Sequence, residues 1–200
     1  MIDNIERIKD LLNFENEGDF YMLYVFKRKK DQPEGERDNH QSVRTIKTYC
    51  VESIEYLEKR YDEIKQLCEM FKSRAYIHVQ KQNHKDVSLN MMVALAQRIQ
   101  DGNLKQQHLF DSVVGQLKTR EKRWIIDIDT KDEQEVNTIK FTINQLCRPF
   151  GDKIWELIPT KSGYHLITDR FDVIQFKTSY PDIDIQKKNP TLLYYPDSLE

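Results

Sequence analysis

The chain is poor in residues that interrupt regular structure, with six glycines and six prolines among 200 residues. Short loops and regular elements follow, because each glycine or proline marks a place where a helix or strand is easily broken. There are three cysteines, Cys50, Cys68 and Cys147, odd in number, far apart and without a Cys-x-x-Cys pair. Neither a disulfide framework nor a zinc knuckle can be built from them, and a reducing, cytoplasmic compartment is the expectation. No run of about 18 apolar residues occurs, so no membrane span and no membrane partner are expected. The opening Met1-Ile2-Asp3-Asn4-Ile5-Glu6 is charged and amphipathic, without the apolar stretch of a secretory signal. Asn189-Pro190-Thr191 is excluded as a glycosylation acceptor by its proline. An excess of one charge is missing too: 31 Lys and Arg face 33 Asp and Glu, a net charge of −2. That balance argues against a protein held to nucleic acid by overall charge alone, but leaves room for a local basic cleft. Strings of the P-loop, GxGxxG, HExxH and GxSxG types are absent, so the chemistries they carry have no support.

What is present is an ordinary globular composition, 38% hydrophobic and 32% charged, at a length that suits one domain or two small lobes. In the first half, Ile2, Ile5, Ile8 and Leu12 fall on one helical face, and Phe20 to Phe26 reads as a buried strand. The charged segment Lys27 to Ser42, broken by Pro33 and Gly35, reads as an exposed loop. Val43 to Val51 is a second strand. Ser53 then caps a helix with Ile54, Leu57, Tyr61, Ile64, Cys68 and Phe71 inward. Arg74 to Gln80 is a third strand, Asp86 starts a helix running to Gly102, and residues 104–118 read as helical with Leu104, His108, Phe110, Val113, Val114 and Leu117 mostly inward.

The second half reads β-α-β-β-α-β. Its strands are Arg123 to Asp129, Lys153 to Thr160, Tyr164 to Thr168 and Ile183 to Gln186. One helix is capped by Asp132 and buries Val136, Ile139, Ile143 and Leu146; a shorter one lies at Phe171 to Phe176. Thr191 to Tyr195 is a further extended piece beyond Asn189-Pro190. This order is that of the split βαβ, ferredoxin-like or RRM-like arrangement. The fold class expected is therefore α+β, an RRM-like module at 121–200 packed against an N-terminal α/β module at 1–120, together one catalytic domain.

In such a sheet the first and third strands are central neighbours and the fourth flanks the first. Asp127 and Asp129, His165, and Asp184 then converge from three strands. Side-chain alternation puts Trp124, Ile126 and Ile128 on a face that helices can cover, and Ile125, Asp127 and Asp129 on the other. Converging carboxylates repel one another unless cations sit between them, and hard ions such as Mg²⁺ or Mn²⁺ prefer such oxygen ligands. A pair of these ions can activate an attacking oxygen and stabilise a leaving pyrophosphate. In Lys161-Ser162-Gly163-Tyr164-His165, the hydroxyl, the imidazole, the lysine charge and the glycine-exposed backbone N–H groups suit phosphate oxygens.

These strings together resemble the archaeo-eukaryotic primase superfamily, which includes small-subunit DNA primases and primase-polymerases. The resemblance rests on Trp124-Ile125-Ile126-Asp127-Ile128-Asp129, on Ser162-Gly163-Tyr164-His165 and on Ile183-Asp184, and is strongest over residues 123–195. The second string departs from the tightest family pattern by one extra residue between Ser and His. The resemblance implies a metal-dependent nucleotidyltransferase acting on nucleoside triphosphates and a single-stranded or primed nucleic-acid template. Two Mg²⁺ or Mn²⁺ ions would be held by Asp127, Asp129 and Asp184, with Ser162, His165 and Lys161 at the nucleotide. It also implies replication proteins as partners and a likeness to the small stand-alone members found in phages and mobile elements.

Other readings carry less. Haloacid-dehalogenase enzymes share an Asp-x-Asp strand but want Thr or Val where Lys131 stands, and glycosyltransferases need a larger nucleotide-binding half. The serious rival is an RRM-like sheet that binds single-stranded nucleic acid or nucleotides without catalysis, stacking bases on Tyr164, Phe171, Tyr194 or Tyr195. A nuclease or nucleotide-sequestering protein on the same fold is a third. Lys27-Arg28-Lys29-Lys30 and Lys187-Lys188 are candidate phosphate contacts, and Arg74 and His78, which share a strand face, are candidates to approach the cleft from the opposite side.

Overall fold

A computed structural model describes residues 1–32, 43–117, 119 and 122–199; most of the expected loop at 27–42 lies outside them. The architecture is α+β, with two antiparallel sheets and six α-helices among the described residues. The strands are β1 (Ile2–Asp3), β2 (Asp19–Arg28), β3 (Val43–Val51), β4 (Arg74–Ile77), β5 (Gln82–Asn83), β6 (Trp124–Ile128), β7 (Ile154–Pro159), β8 (Tyr164–Thr168), β9 (Asp184–Gln186) and β10 (Thr191–Tyr195). The helices are α1 (Ile5–Leu11), α2 (Ile54–Phe71), α3 (His84–Gln100), α4 (Leu109–Gln116), α5 (Glu133–Phe141) and α6 (Val173–Ser179). The larger sheet runs β1-β10-β4-β2-β3, with β5 added to β2, and the smaller runs β7-β8-β6-β9.

The unbroken apolar run of β2 is explained by burial on both sides. Tyr21, Leu23 and Val25 face the core beneath α1 and α2, whereas Phe20 and Met22 face the cluster built by α3 and α4. A strand covered on two faces has no reason to alternate apolar with polar residues. The Ser53 hydroxyl accepts from the Tyr56 N–H at 3.0 Å and starts α2, whose Leu57, Tyr61, Ile64 and Cys68 are buried.

β6 obeys the alternation expected of it. Ile126 and Ile128 pack with Val136, Ile139 and Ile143 of the α5 segment and with Phe176 of α6. Ile125, Ile158 and Ile167 enter the other core with Leu23, Val25 and Leu193, so the larger sheet covers this side of the smaller one. Asn4 joins the two sheets, donating to the Pro159 and Leu192 carbonyls, each at 3.0 Å.

Several expectations need correction: Lys27 and Arg28 belong to β2 rather than to a loop, Phe71 at the end of α2 is 40% exposed rather than inward, and α3 starts at His84 rather than Asp86. The helix expected over 104–118 is confined to Leu109–Gln116, preceded by His108 in the left-handed region at φ 60°, and Leu104 is 74% exposed. The stripe Val136, Ile139, Ile143 does not extend to Leu146, which is 51% exposed. There α5 passes into a π-turn at Thr142–Leu146, and the wider turn rotates Leu146 away from the core. The third strand ends at Ile77 rather than Gln80. Placing a division at residue 120 separates the two sheets except for β10, which crosses back to pair with β4 and β1 and is buried along its whole length. None of the described helices is long and apolar enough to cross a membrane.

Candidate active site on the smaller sheet

Asp127 is the geometric centre of the site. On one side of β6 it lies opposite His165 of β8, and on the other side opposite Asp184 of β9. Strand alternation turns all three side chains toward the larger sheet. His165 Nε2 is 3.6 Å from Asp127 Oδ1. Gln186, two residues beyond Asp184 and on the same face, donates through Nε2 to Asp127 Oδ2 at 3.2 Å and to Asp184 Oδ2 at 3.1 Å. Two carboxylates directly opposite each other repel, and this neutral amide is the group that bridges them.

Asp129 lies just past the end of β6 and accepts from the Ser162 hydroxyl at 3.3 Å. Gly163 makes that meeting possible. A Cβ added there would lie 1.9 Å from the Ile128 carbonyl oxygen and 2.8 Å from the Thr130 nitrogen, so only glycine lets the β7–β8 turn approach the end of β6 so closely. Gly163 thus brings Ser162 and Asp129 together through its missing side chain.

The site is graded in depth. His165 is buried, and its Nδ1 pairs with the Thr191 hydroxyl at 2.9 Å. Asp127 is half-buried, while Asp129, Asp184 and Ser162 are exposed. Burial, then the charge of Arg28, pulls the His165 pKa down to about 4, with Asp129 opposing. At neutral pH the imidazole is therefore uncharged and its approach to Asp127 is not an ion pair. Burial first, then the charges of Asp129 and Asp184, raise the Asp127 pKa, with Arg28 opposing. The carboxylates thus form a charge-stressed set that either uptake of a proton or binding of a cation would relieve.

That donor set fits a hard divalent cation in chemistry: carboxylate oxygens, mutual repulsion and an open outer side. Among the described residues, however, no three His, Cys, Asp or Glu side chains stand close enough to hold a metal ion as placed. The Gln186 amide spans the space between two of the carboxylates instead.

The structure brings together Asp127, Asp129, Asp184, His165 and Ser162. Lys161 turns elsewhere, donating to the Tyr195 hydroxyl at 3.0 Å and lying over that ring. Lys187 lies over Trp124, on the helix-covered side of the sheet, and Lys188 donates to the Gly115 carbonyl at 2.8 Å. Arg74 pairs with Asp31 at 2.7 Å and His78 packs against the Tyr24 ring. Phe171, Tyr194 and Tyr195 are buried and Tyr164 packs on the α5 and α6 core, so these rings present no stacking platform. Sequence reasoning had no role for Gln186 or Thr191, and only a generic one for Arg28. The period-two spacing from Asp184 was the available signal for Gln186. A cleft of about 1200 Å³ lies away from this site, between α3, α4 and residues 15–19. Comparisons with known protein families, with curated proteins and with solved structures found no match.

Proposed function

We propose that the chain is a metal-dependent nucleotidyltransferase of primase-polymerase type, with the smaller sheet, α5 and α6 as an RRM-like module. The observation that carries this reading is Asp127, flanked across β6 by His165 and Asp184 on one sheet face, with Asp129 and Ser162 at its open end. The strand order β7-β8-β6-β9 supports the RRM-like comparison.

In this reading Asp127, Asp129 and Asp184 hold Mg²⁺ or Mn²⁺. When bound, such ions neutralise phosphate charge and favour attack of a 3′-hydroxyl on the α-phosphorus with departure of pyrophosphate. His165, neutral and oriented by Thr191, offers Nε2 as a hydrogen-bond partner rather than a charge. Ser162 positions Asp129 and presents a hydroxyl at the exposed edge. Arg28 supplies positive charge from the larger sheet. Lys161, held at Tyr195, has to leave that ring to reach a phosphate.

The test is primer extension with Mn²⁺ or Mg²⁺ by the wild type and by Asp127→Ala/Asp129→Ala, with circular dichroism to verify folding. Extension by the wild type and a loss of roughly a thousandfold or more in the folded variant are expected. Equal extension by both rejects the site. A wild type that holds single strands in EDTA and extends nothing favours a binding module without catalysis.

A further inference from the structure

Thr191 opens β10, the strand that returns to the larger sheet, and is fully buried opposite Ile77 of β4. Its hydroxyl meets Nδ1 of His165 at 2.9 Å, and no other hydrogen bond of that hydroxyl is present among the described residues. A threonine in a strand is stiff at χ1, so the backbone of β10 decides where this hydroxyl stands. On the far side of the ring, Nε2 faces Asp127 Oδ1 at 3.6 Å.

A neutral imidazole carries one N–H, and its other nitrogen is an acceptor. The ring therefore has two ways to stand between Thr191 and Asp127. With the proton on Nδ1, the ring donates to Thr191, the buried hydroxyl proton is left without a partner among the described residues, and the Nε2 lone pair points at a carboxylate. With the proton on Nε2, the hydroxyl donates to Nδ1 and an N–H faces Asp127. The second arrangement satisfies both buried groups and sets a positive ring edge against negative oxygen; the first strands a donor and opposes two lone pairs. At 3.6 Å the N–H is not spent on Asp127, and it stays available to another acceptor.

We infer that Thr191 is a positioning residue whose hydroxyl donates to Nδ1 and holds the His165 proton on Nε2, so that the ring faces the carboxylates as a hydrogen-bond donor. A protonated Nε2 has no lone pair for a metal ion, which leaves the cation to the carboxylates alone. A donor in that place selects an acceptor from its ligand, and an anionic phosphate oxygen is one. This consequence for a nucleotide rests on the nucleotidyltransferase reading; the placing of the proton does not.

Long-range ¹H–¹⁵N correlation spectra of the full chain at neutral pH read both ring nitrogens, with His165 assigned by the signals lost in His165→Gln. The wild type should show a protonated Nε2 and an unprotonated, hydrogen-bonded Nδ1, and added Mg²⁺ should leave Nε2 protonated. Thr191→Val, equal in shape but without the hydroxyl, should move Nδ1 to the position of a bare nitrogen with an unchanged circular dichroism spectrum, and Thr191→Ser should keep the wild-type signals. A threonine that only fills space predicts identical ring signals in the Val variant. Calorimetric binding of a non-hydrolysable nucleoside triphosphate with Mg²⁺ should weaken about tenfold in Thr191→Val and recover in Thr191→Ser. A wild-type ring protonated on Nδ1, an Nε2 that gives up its proton to Mg²⁺, ring signals unmoved by Thr191→Val, or a triphosphate bound equally by wild type and Thr191→Val overturns the inference. A wild type that binds no triphosphate overturns the nucleotidyltransferase reading instead, and the ring signals then decide the inference by themselves.

Discussion

The two sides of strand β6 differ within five residues. On one side Ile126 and Ile128 are sealed beneath α5 and α6, in a core whose residues include no Asp, Glu, Lys, Arg or His. On the other side Ile125 is equally buried, against the larger sheet, but two residues on stands Asp127, and beyond the strand Asp129. Both sides are covered at the Trp124 end; only the second becomes polar as cover from the larger sheet gives out. The site therefore sits at the margin of an interface between two sheets. There His165 stays buried enough to be neutral while Asp129 and Asp184 meet solvent.

The harshest way to break this difference is to put a carboxylate on the sealed side. Ile126→Asp places an unpartnered charge among Val136, Ile139 and Leu166, and a loss of more than about 5 kcal/mol is expected. Circular dichroism should show no cooperative melt, although Asp127 next to it is tolerated. Gly163→Ala comes second. Its methyl would overlap the Ile128 carbonyl, so the turn must retreat, costing roughly 3 kcal/mol in urea unfolding. The same change parts Ser162 from Asp129, whereas Gly115→Ala, where nothing lies within 4 Å of the added methyl, should be close to neutral.

The pH dependence sharpens the comparison, because the two central groups of the site act with opposite sign. His165 has a folded pKa of about 4 against an ordinary 6.5, so the unfolded chain takes up the proton first. Its contribution is complete above pH 6.5 and lost as pH falls toward 4, at most about 3 kcal/mol. His78, likewise pulled to about 4 by burial, adds the same sign. His165→Gln should flatten, without abolishing, the fall in stability between pH 6.5 and 4. Asp127 is raised in the folded state, so its effect is absent below the ordinary 3.8 and destabilises increasingly as pH rises through the folded value. Asp127→Asn, in EDTA, should therefore stabilise the protein at pH 7 by up to about 1 kcal/mol and lose that advantage in acid. An Asn variant less stable than wild type at pH 7 would show that carboxylate repulsion is not what burdens this face.

Much of the architecture was legible because it depends on local patterns. β3, β8 and β10 fall where their alternation and flanking breakers place them, and Ser53 and Asp132 cap the helices they precede. What escaped depends on conformations without a composition signal: the left-handed His108 that shortens the following helix, and the π-turn that exposes Leu146. The return of β10 to the larger sheet is a tertiary pairing that no local rule contains. In the site, the meeting of Asp127, Asp184 and His165 followed from strand order and parity. Gln186 and Thr191 were not legible, since an amide or a hydroxyl draws attention only once the groups it bridges have been located. Lys161 was assigned by its charge, and its engagement with Tyr195 depends on the crossing of β10.

The central claim is that Asp127, Asp129 and Asp184 together take up a divalent ion in front of a nucleotide. A crystal grown with Mn²⁺ and a non-hydrolysable nucleoside triphosphate, measured for anomalous scattering, tests this most directly. The predicted result is a manganese peak bound by these carboxylates, the Gln186 amide displaced from between two of them, and the triphosphate beside Ser162 and His165. A well-ordered nucleotide and manganese bound elsewhere, with Gln186 still bridging Asp127 and Asp184, would contradict it.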